Sequence, residues 1–176
     1  MGDDALGPWV IEELLAGWEF PRGVSVIDLG TPGLDLIPYL AEADTIFLVD
    51  TVKSDAPPGT IRIYSRDQIL SRPPDPRLSP HDPGVVDALF SLSFAGGGPR
   101  DVVLIGVVPD VVAKGIGLTP GVQDAVGRAA AEIVKRLSQL GFAPWRKAVP
   151  PTLPWWEKPI ESSLSEQSQD QLRIRA

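Results

Sequence analysis

Thr45-Ile46-Phe47-Leu48-Val49-Asp50 sets four large apolar residues in a row and ends them in a carboxylate. Because the run is apolar at both even and odd positions, a strand here has no face to offer to solvent. It predicts a strand buried on both sides, which a sheet between two helix layers provides. Thr51-Val52-Lys53-Ser54 opens a polar loop directly after it. In open α/β sheets ligands sit beyond the carboxyl ends of the strands, so Asp50 stands where a ligand would be met. A loop aspartate that merely closes a turn fits the same position equally well.

The rest of the chain supplies the layers. Asp3 or Asp4 can cap a helix in which Leu6, Val10, Leu14 and Trp18 recur at every fourth residue. Pro8 falls in its first turn, where a missing N–H costs nothing, and Phe20-Pro21-Arg22-Gly23 ends it. Val24-Ser25-Val26-Ile27-Asp28 predicts a second buried strand, also finishing in a carboxylate. Leu29-Gly30-Thr31-Pro32-Gly33 turns the chain into a helix with Thr31 as N-cap and Leu34, Ile37 and Leu40 on one face. Thr60-Ile61-Arg62-Ile63-Tyr64 alternates and predicts a half-exposed edge strand. Pro73, Pro74, Pro76, Pro80 and Pro83 stiffen residues 71–83 and deliver His81 to a helix capped by Asp82, with Val86, Leu89 and Phe90 facing inward. Residues 101–108 predict the longest buried strand. Thr119 and Pro120 then start a last helix whose stripe is Val122, Ala125, Val126, Ala129, Ile133, Leu137 and Leu140, stopped by Gly141.

Alternating helices and buried strands predict an α/β chain. The expected architecture is a three-layer α/β/α sandwich with a mostly parallel, mixed sheet and one antiparallel edge strand. Chains of this class open on a central strand that feeds the first helix. Here the helix comes first, so either the first central strand is missing from this sequence, as we expect, or the sheet is short by one. Residues 1–142 are expected to form one domain. From 143 to 176 prolines alternate with Trp145, Trp155 and Trp156 before a Ser-, Gln- and Glu-rich end, which predicts an extended or disordered tail. Its exposed tryptophans would suit a binding anchor, although a solvated tail explains them as well.

Composition narrows the chemistry. The chain has no Cys, which removes thiolate nucleophiles and Cys-based metal sites, and a single His, His81, which removes every site needing two imidazoles. A formal net charge of −7 with scattered Lys and Arg argues against nucleic acid. No apolar run approaches a bilayer span, and the acidic opening Met1-Gly2-Asp3-Asp4 does not suit a signal peptide, so a cytoplasmic protein is expected.

Asp4, Asp50 and His81 fall at the rim of one sheet edge. Two carboxylates and an imidazole with open positions suit a divalent transition metal. A resident catalytic zinc usually draws on more nitrogen or sulfur donors, so the set predicts a transient metal contact. His81 just ahead of a helix N-terminus stays neutral, the form that binds metal. Taken singly, Asp4 is also an N-cap, Asp50 a turn residue and His81 a surface loop histidine.

Several motifs recur together in order: Gly2-Asp3-Asp4-Ala5-Leu6-Gly7, Asp28-Leu29-Gly30-Thr31-Pro32-Gly33, Asp50 after its apolar strand, and Ser79-Pro80-His81. With Gly106-Val107-Val108-Pro109 and Gly117-Leu118-Thr119-Pro120 they resemble the [NiFe]-hydrogenase maturation endopeptidases, over residues 1 to about 142. The resemblance implies a protease that removes a C-terminal extension from the hydrogenase large-subunit precursor after nickel insertion. It implies that Asp4, Asp50 and His81 contact the metal, and that Asp28, Gly30, Thr31 and Gly33 form a substrate-side loop. Nickel then arrives with the substrate, no cofactor is resident, and the protein is expected to be a monomer that needs neither nucleic acid nor membrane. The general base stays unassigned, as does an aspartic or a metal-dependent type. Two departures stand out. Asp4 replaces what is often Glu in that family, and the family's first strand, ending in Gly-Asn, is absent, which leads us to expect the true start upstream of Met1. Two other functions fit parts of the pattern. One is a truncated, inactive binder of the large subunit. The other is a receiver-like domain with Asp50 as phosphoacceptor, for which residues 107–110 lack the lysine that fold places at the end of its last strand.

Overall fold

The computed structural model describes residues 2–30, 33–71, 82–111 and 117–148. His81, Thr31 and residues 149–176 lie outside the described residues, with the expectations placed on them. Helix α1 (Leu6–Gly17) is followed by a two-residue strand β1 (Trp18–Glu19), then α2 (Ile37–Glu42) and strands β2 (Thr45–Thr51) and β3 (Ile61–Ser65). Helices α3 (Arg66–Leu70) and α4 (Asp82–Phe94), strand β4 (Asp101–Val107), helix α5 (Pro120–Gln139) and strand β5 (Trp145–Arg146) complete the order.

Strand β4 is central. It pairs in parallel with β2 and antiparallel with β3, giving the order β2-β4-β3. Val103, Ile105 and Val107 face α1 and α5, whereas Val102 and Leu104 face the layer of α2 and α4. This is the expected mixed sheet between two helix layers, with β3 as its antiparallel edge. Strand β2 is laddered on one side only among the described residues, and Ile46 through Val49 are half-buried where β4 is buried. Among the described residues no helix is long and apolar enough to cross a membrane.

Helix α1 owes its stability to packing. Gly7 weakens its start, a glycine costing about 1 kcal/mol against alanine, while Pro8 in the first turn takes no bond away. Leu6, Val10 and Leu14 are buried against α5, and each such side chain contributes about 1.5–3 kcal/mol, so burial decides. Helix α5 ends as expected. Gly141, with φ +89°, donates to the Ser138 carbonyl and Phe142 N–H to the Leu137 carbonyl, a Schellman closure that turns the chain back. Trp145 and Arg146 then pair with Glu19 and Trp18, with the Arg146 guanidinium 4.5 Å from the centre of the Trp18 ring. The first residues of the expected tail therefore return to the domain, which extends through Lys147 bonded to the Gly17 carbonyl.

Five expectations are corrected. Residues 24–28 form no strand. Val24 and Val26 lean on the α1–α5 core while Ile27 is exposed, but among the described residues no neighbour supplies a ladder for their backbone groups. Trp18 leaves the helix for the β1–β5 ribbon. The helix expected from Pro32 starts as a 3-10 turn, Gly33–Leu36, and becomes α2 only at Ile37. Phe90 is exposed because Ala88, Leu89 and Leu92 already fill the inner face of α4, one helical step away; Leu140 is exposed because α5 has ended at Gln139.

Candidate functional site

Residues Asp3–Ala5 form a 3-10 turn that packs against β2. Just beyond it, a side chain built on Gly7 would lie 3.4 Å from the Val49 carbonyl, so the first turn of α1 reaches the carboxyl end of that strand. Asp4 and Asp50 are thereby carried by two segments in contact. Asp4 is half-buried, and its Oδ1 is shut away from solvent with no hydrogen-bond partner among the described residues. A buried carboxylate oxygen left without a donor is costly and asks for a cation or a ligand proton. Asp50 is half-buried at the penultimate position of β2, and its Oδ1 accepts the Thr51 N–H at 2.7 Å. Among the described residues no three carboxylates gather closely enough to hold a metal. The third member expected at this site, His81, is not among them.

The expected helix cap is not what the acidic pair provides. The N-cap of α1 is Ala5, with no side-chain bond. Asp3 turns inward instead and is fully buried. Its Oδ2 accepts the N–H groups of Asp110 at 2.8 Å and Val111 at 3.0 Å and the Thr119 hydroxyl at 3.0 Å; its Oδ1 accepts the Thr119 N–H at 2.7 Å. Burial pushes the carboxyl pKa up, but the bonds from Thr119, Val111 and Asp110 together outweigh it, and the group titrates below the usual aspartate range. Thr119 is the N-cap residue of α5 by position, but its hydroxyl donates to Asp3 and caps nothing. The sequence offered one signal for this role: two adjacent acids before one helix, where a single N-cap position exists.

Gly106 sits opposite Asp50 in register. A side chain there would lie 2.6 Å from a methyl of Val52, which is buried and β-branched and cannot swing aside. Gly106 therefore leaves room for the Val52 side chain just past Asp50, where the Val52 N–H donates to the Val107 carbonyl at 2.9 Å and continues the ladder. Gly106→Ala is expected to destabilise by about 1–3 kcal/mol, as overpacking does. A thermal melt checks this, and an unchanged Tm would show that Val52 yields.

The loop expected on the substrate side is partly described. Asp28 is exposed, and its Oδ1 accepts the Gly30 N–H at 3.0 Å, an Asx turn that leaves Gly30 at φ +60°. Gly33 opens the 3-10 turn that follows.

A protein-family model described as hydrogenase maturation protease matches residues 8–136. The hydrogenase 2 maturation protease of Escherichia coli K12 is 32% identical over 140 residues, which span 79% of this chain and 85% of that protein. The hydrogenase expression/formation protein HoxM of Azotobacter vinelandii is 34% identical over 108 residues, 61% of this chain and 52% of the relative. Among solved structures, the hydrogenase maturating endopeptidase HybD from Escherichia coli matches with a TM-score of 0.76 at 28% identity, over 84% of this chain and 91% of that one. The [NiFe] hydrogenase maturation protease HybD from Thermococcus kodakarensis gives 0.62 at 25% identity, over 78% and 90%.

Proposed function

The chain belongs to the hydrogenase maturation protease family, and from that premise we propose that it is the endopeptidase that trims a [NiFe]-hydrogenase large-subunit precursor once nickel is in place. The peptidase assignment follows from the family; the use of nickel for recognition is our own step. It rests on Asp4, whose buried Oδ1 has no hydrogen-bond partner among the described residues and lies in a turn packed on β2, the strand that carries Asp50 next to its end. Asp4, Asp50 and His81 together grip the nickel that the precursor carries, which brings the scissile amide to the end of the sheet. A water polarised there attacks the carbonyl carbon, the C–N bond breaks, and the leaving amine takes up a proton. Asp28, Gly30, Thr31 and Gly33 guide the precursor. The enzyme works as a monomer in the cytoplasm and needs no resident cofactor. Selectivity follows from the same contact, because a precursor without nickel offers nothing for three modest ligands to hold.

The test compares nickel-loaded and nickel-free precursor, with product masses read by mass spectrometry. Loss of a C-terminal peptide from the loaded form alone is the expected result. Equal cutting of both forms would remove nickel from recognition, and tight binding without any cut would favour an inactive binder.

A further inference from the structure

Among the buried polar groups that the proposed chemistry leaves unused, Asp3 carries the most bonds. Its carboxylate ties three residues more than 100 positions away, at the exit of β4 and the entry of α5. The peptide backbone adds to the clamp, with the Asp3 N–H facing the Val111 carbonyl at 3.5 Å and the Ala5 N–H on the Gly2 carbonyl at 3.1 Å. Asp4 is the next residue, one rigid planar peptide away, so its Cα sits about 3.8 Å from that of Asp3. Any shift of Asp3 is handed to Asp4 nearly undiminished, whereas metal–oxygen contacts tolerate only about 0.2 Å. We infer that Asp3 is the positioning residue of this site: by holding Asp110, Val111 and Thr119 it fixes where Asp4 presents its carboxylate. The inference rests on the function proposed above and adds a residue that touches neither metal nor substrate.

Substitution separates positioning from mere stability. Asp3→Asn must turn an amide N–H₂ toward a backbone N–H, donor against donor, and so opens the clamp. Thr119→Val removes one bond of the four, and Thr119→Ser restores the hydroxyl. The four proteins, wild type included, are assayed on nickel-loaded precursor at a temperature where circular dichroism shows each one folded. Asp3→Asn is expected to lose about a hundredfold in kcat, the size of effect a misplaced group causes, with KM raised as the grip on nickel loosens. Thr119→Val loses less, and Thr119→Ser regains wild-type turnover. Wild-type kcat in folded Asp3→Asn overturns the inference, and where that variant does not fold, wild-type kcat in Thr119→Val overturns it equally.

A second readout does not depend on cleavage. NiCl₂ titrations followed by amide NMR should broaden the Asp4 signal in the wild type and spare it in Asp3→Asn and, in part, in Thr119→Val. Equal broadening in all of them overturns the inference while leaving the proposed function standing. A wild-type protein that neither cuts nor shows nickel broadening at Asp4 overturns both together.

Discussion

The Asp50→Ala protein is expected to fold normally and to leave nickel-loaded precursor uncut. Asp50 lies outside both core clusters, at the rim where β2 ends, and its ladder partner Gly106 packs no side chain against it. The change removes the bond from the Thr51 N–H to a charged acceptor, a loss of about 1.5–3 kcal/mol. That stays below a domain stability of about 5–15 kcal/mol. The cost to turnover is far larger. With two carboxylates and one imidazole proposed as the whole grip on the metal, deleting one carboxylate takes away both a ligand and a negative charge. Cleavage followed by mass spectrometry, beside a melting curve of the same preparation, checks both halves. A folded Asp50→Ala protein that trims precursor at the wild-type rate would remove Asp50 from the site.

Asp3→Ala is expected to be the most damaging single substitution to stability among those considered. It strands four donors that converge on one carboxylate. Bonds to a charged acceptor are worth about 1.5–3 kcal/mol each. They do not add here, because Asp110 and Val111 are exposed and water can serve their N–H groups once the clamp is gone. A loss of about 3 kcal/mol is therefore expected, a drop of about 6–12 °C in Tm for a domain of this size.

The same carboxylate gives an acid limb to the stability curve. Its folded pKa is depressed: burial raises it, and the hydrogen bonds lower it by more. The unfolded chain therefore takes up a proton first as pH falls. The stabilisation is present in full above the unfolded value of about 3.9 and is lost as pH falls below it through the folded value. Unfolding followed by denaturant titration at a series of pH values should show a shallower fall below about pH 4 in Asp3→Ala than in the wild type. Parallel curves would mean that Asp3 titrates alike in the folded and unfolded chain.

What the sequence determined by itself is the part of the protein governed by short-range periodicity. The four-residue recurrence of Leu6, Val10 and Leu14, the stripe of α5, the apolar runs of β2 and β4 and the stop at Gly141 all stand in the fold where local pattern put them. Each of these elements is decided by which face of a short segment must leave water, and that is written in consecutive residues. The motif order carried the family as well, because a site at the ends of strands is assembled from loops at fixed places in the chain order. Tertiary structure decided everything that depended on who supplies a backbone or side-chain partner. Residues 24–28 had the apolar run of a buried strand but, among the described residues, no neighbour to complete a ladder. Phe90 had the right spacing, but Leu89 and Leu92 had already filled the inner face. Asp3 looked like one of two possible helix caps and became the anchor of Asp110, Val111 and Thr119. A hydrophobic face is a property of the segment itself. A hydrogen bond is a property of two segments, and for Asp3 the second lies 107 to 116 residues further along the chain.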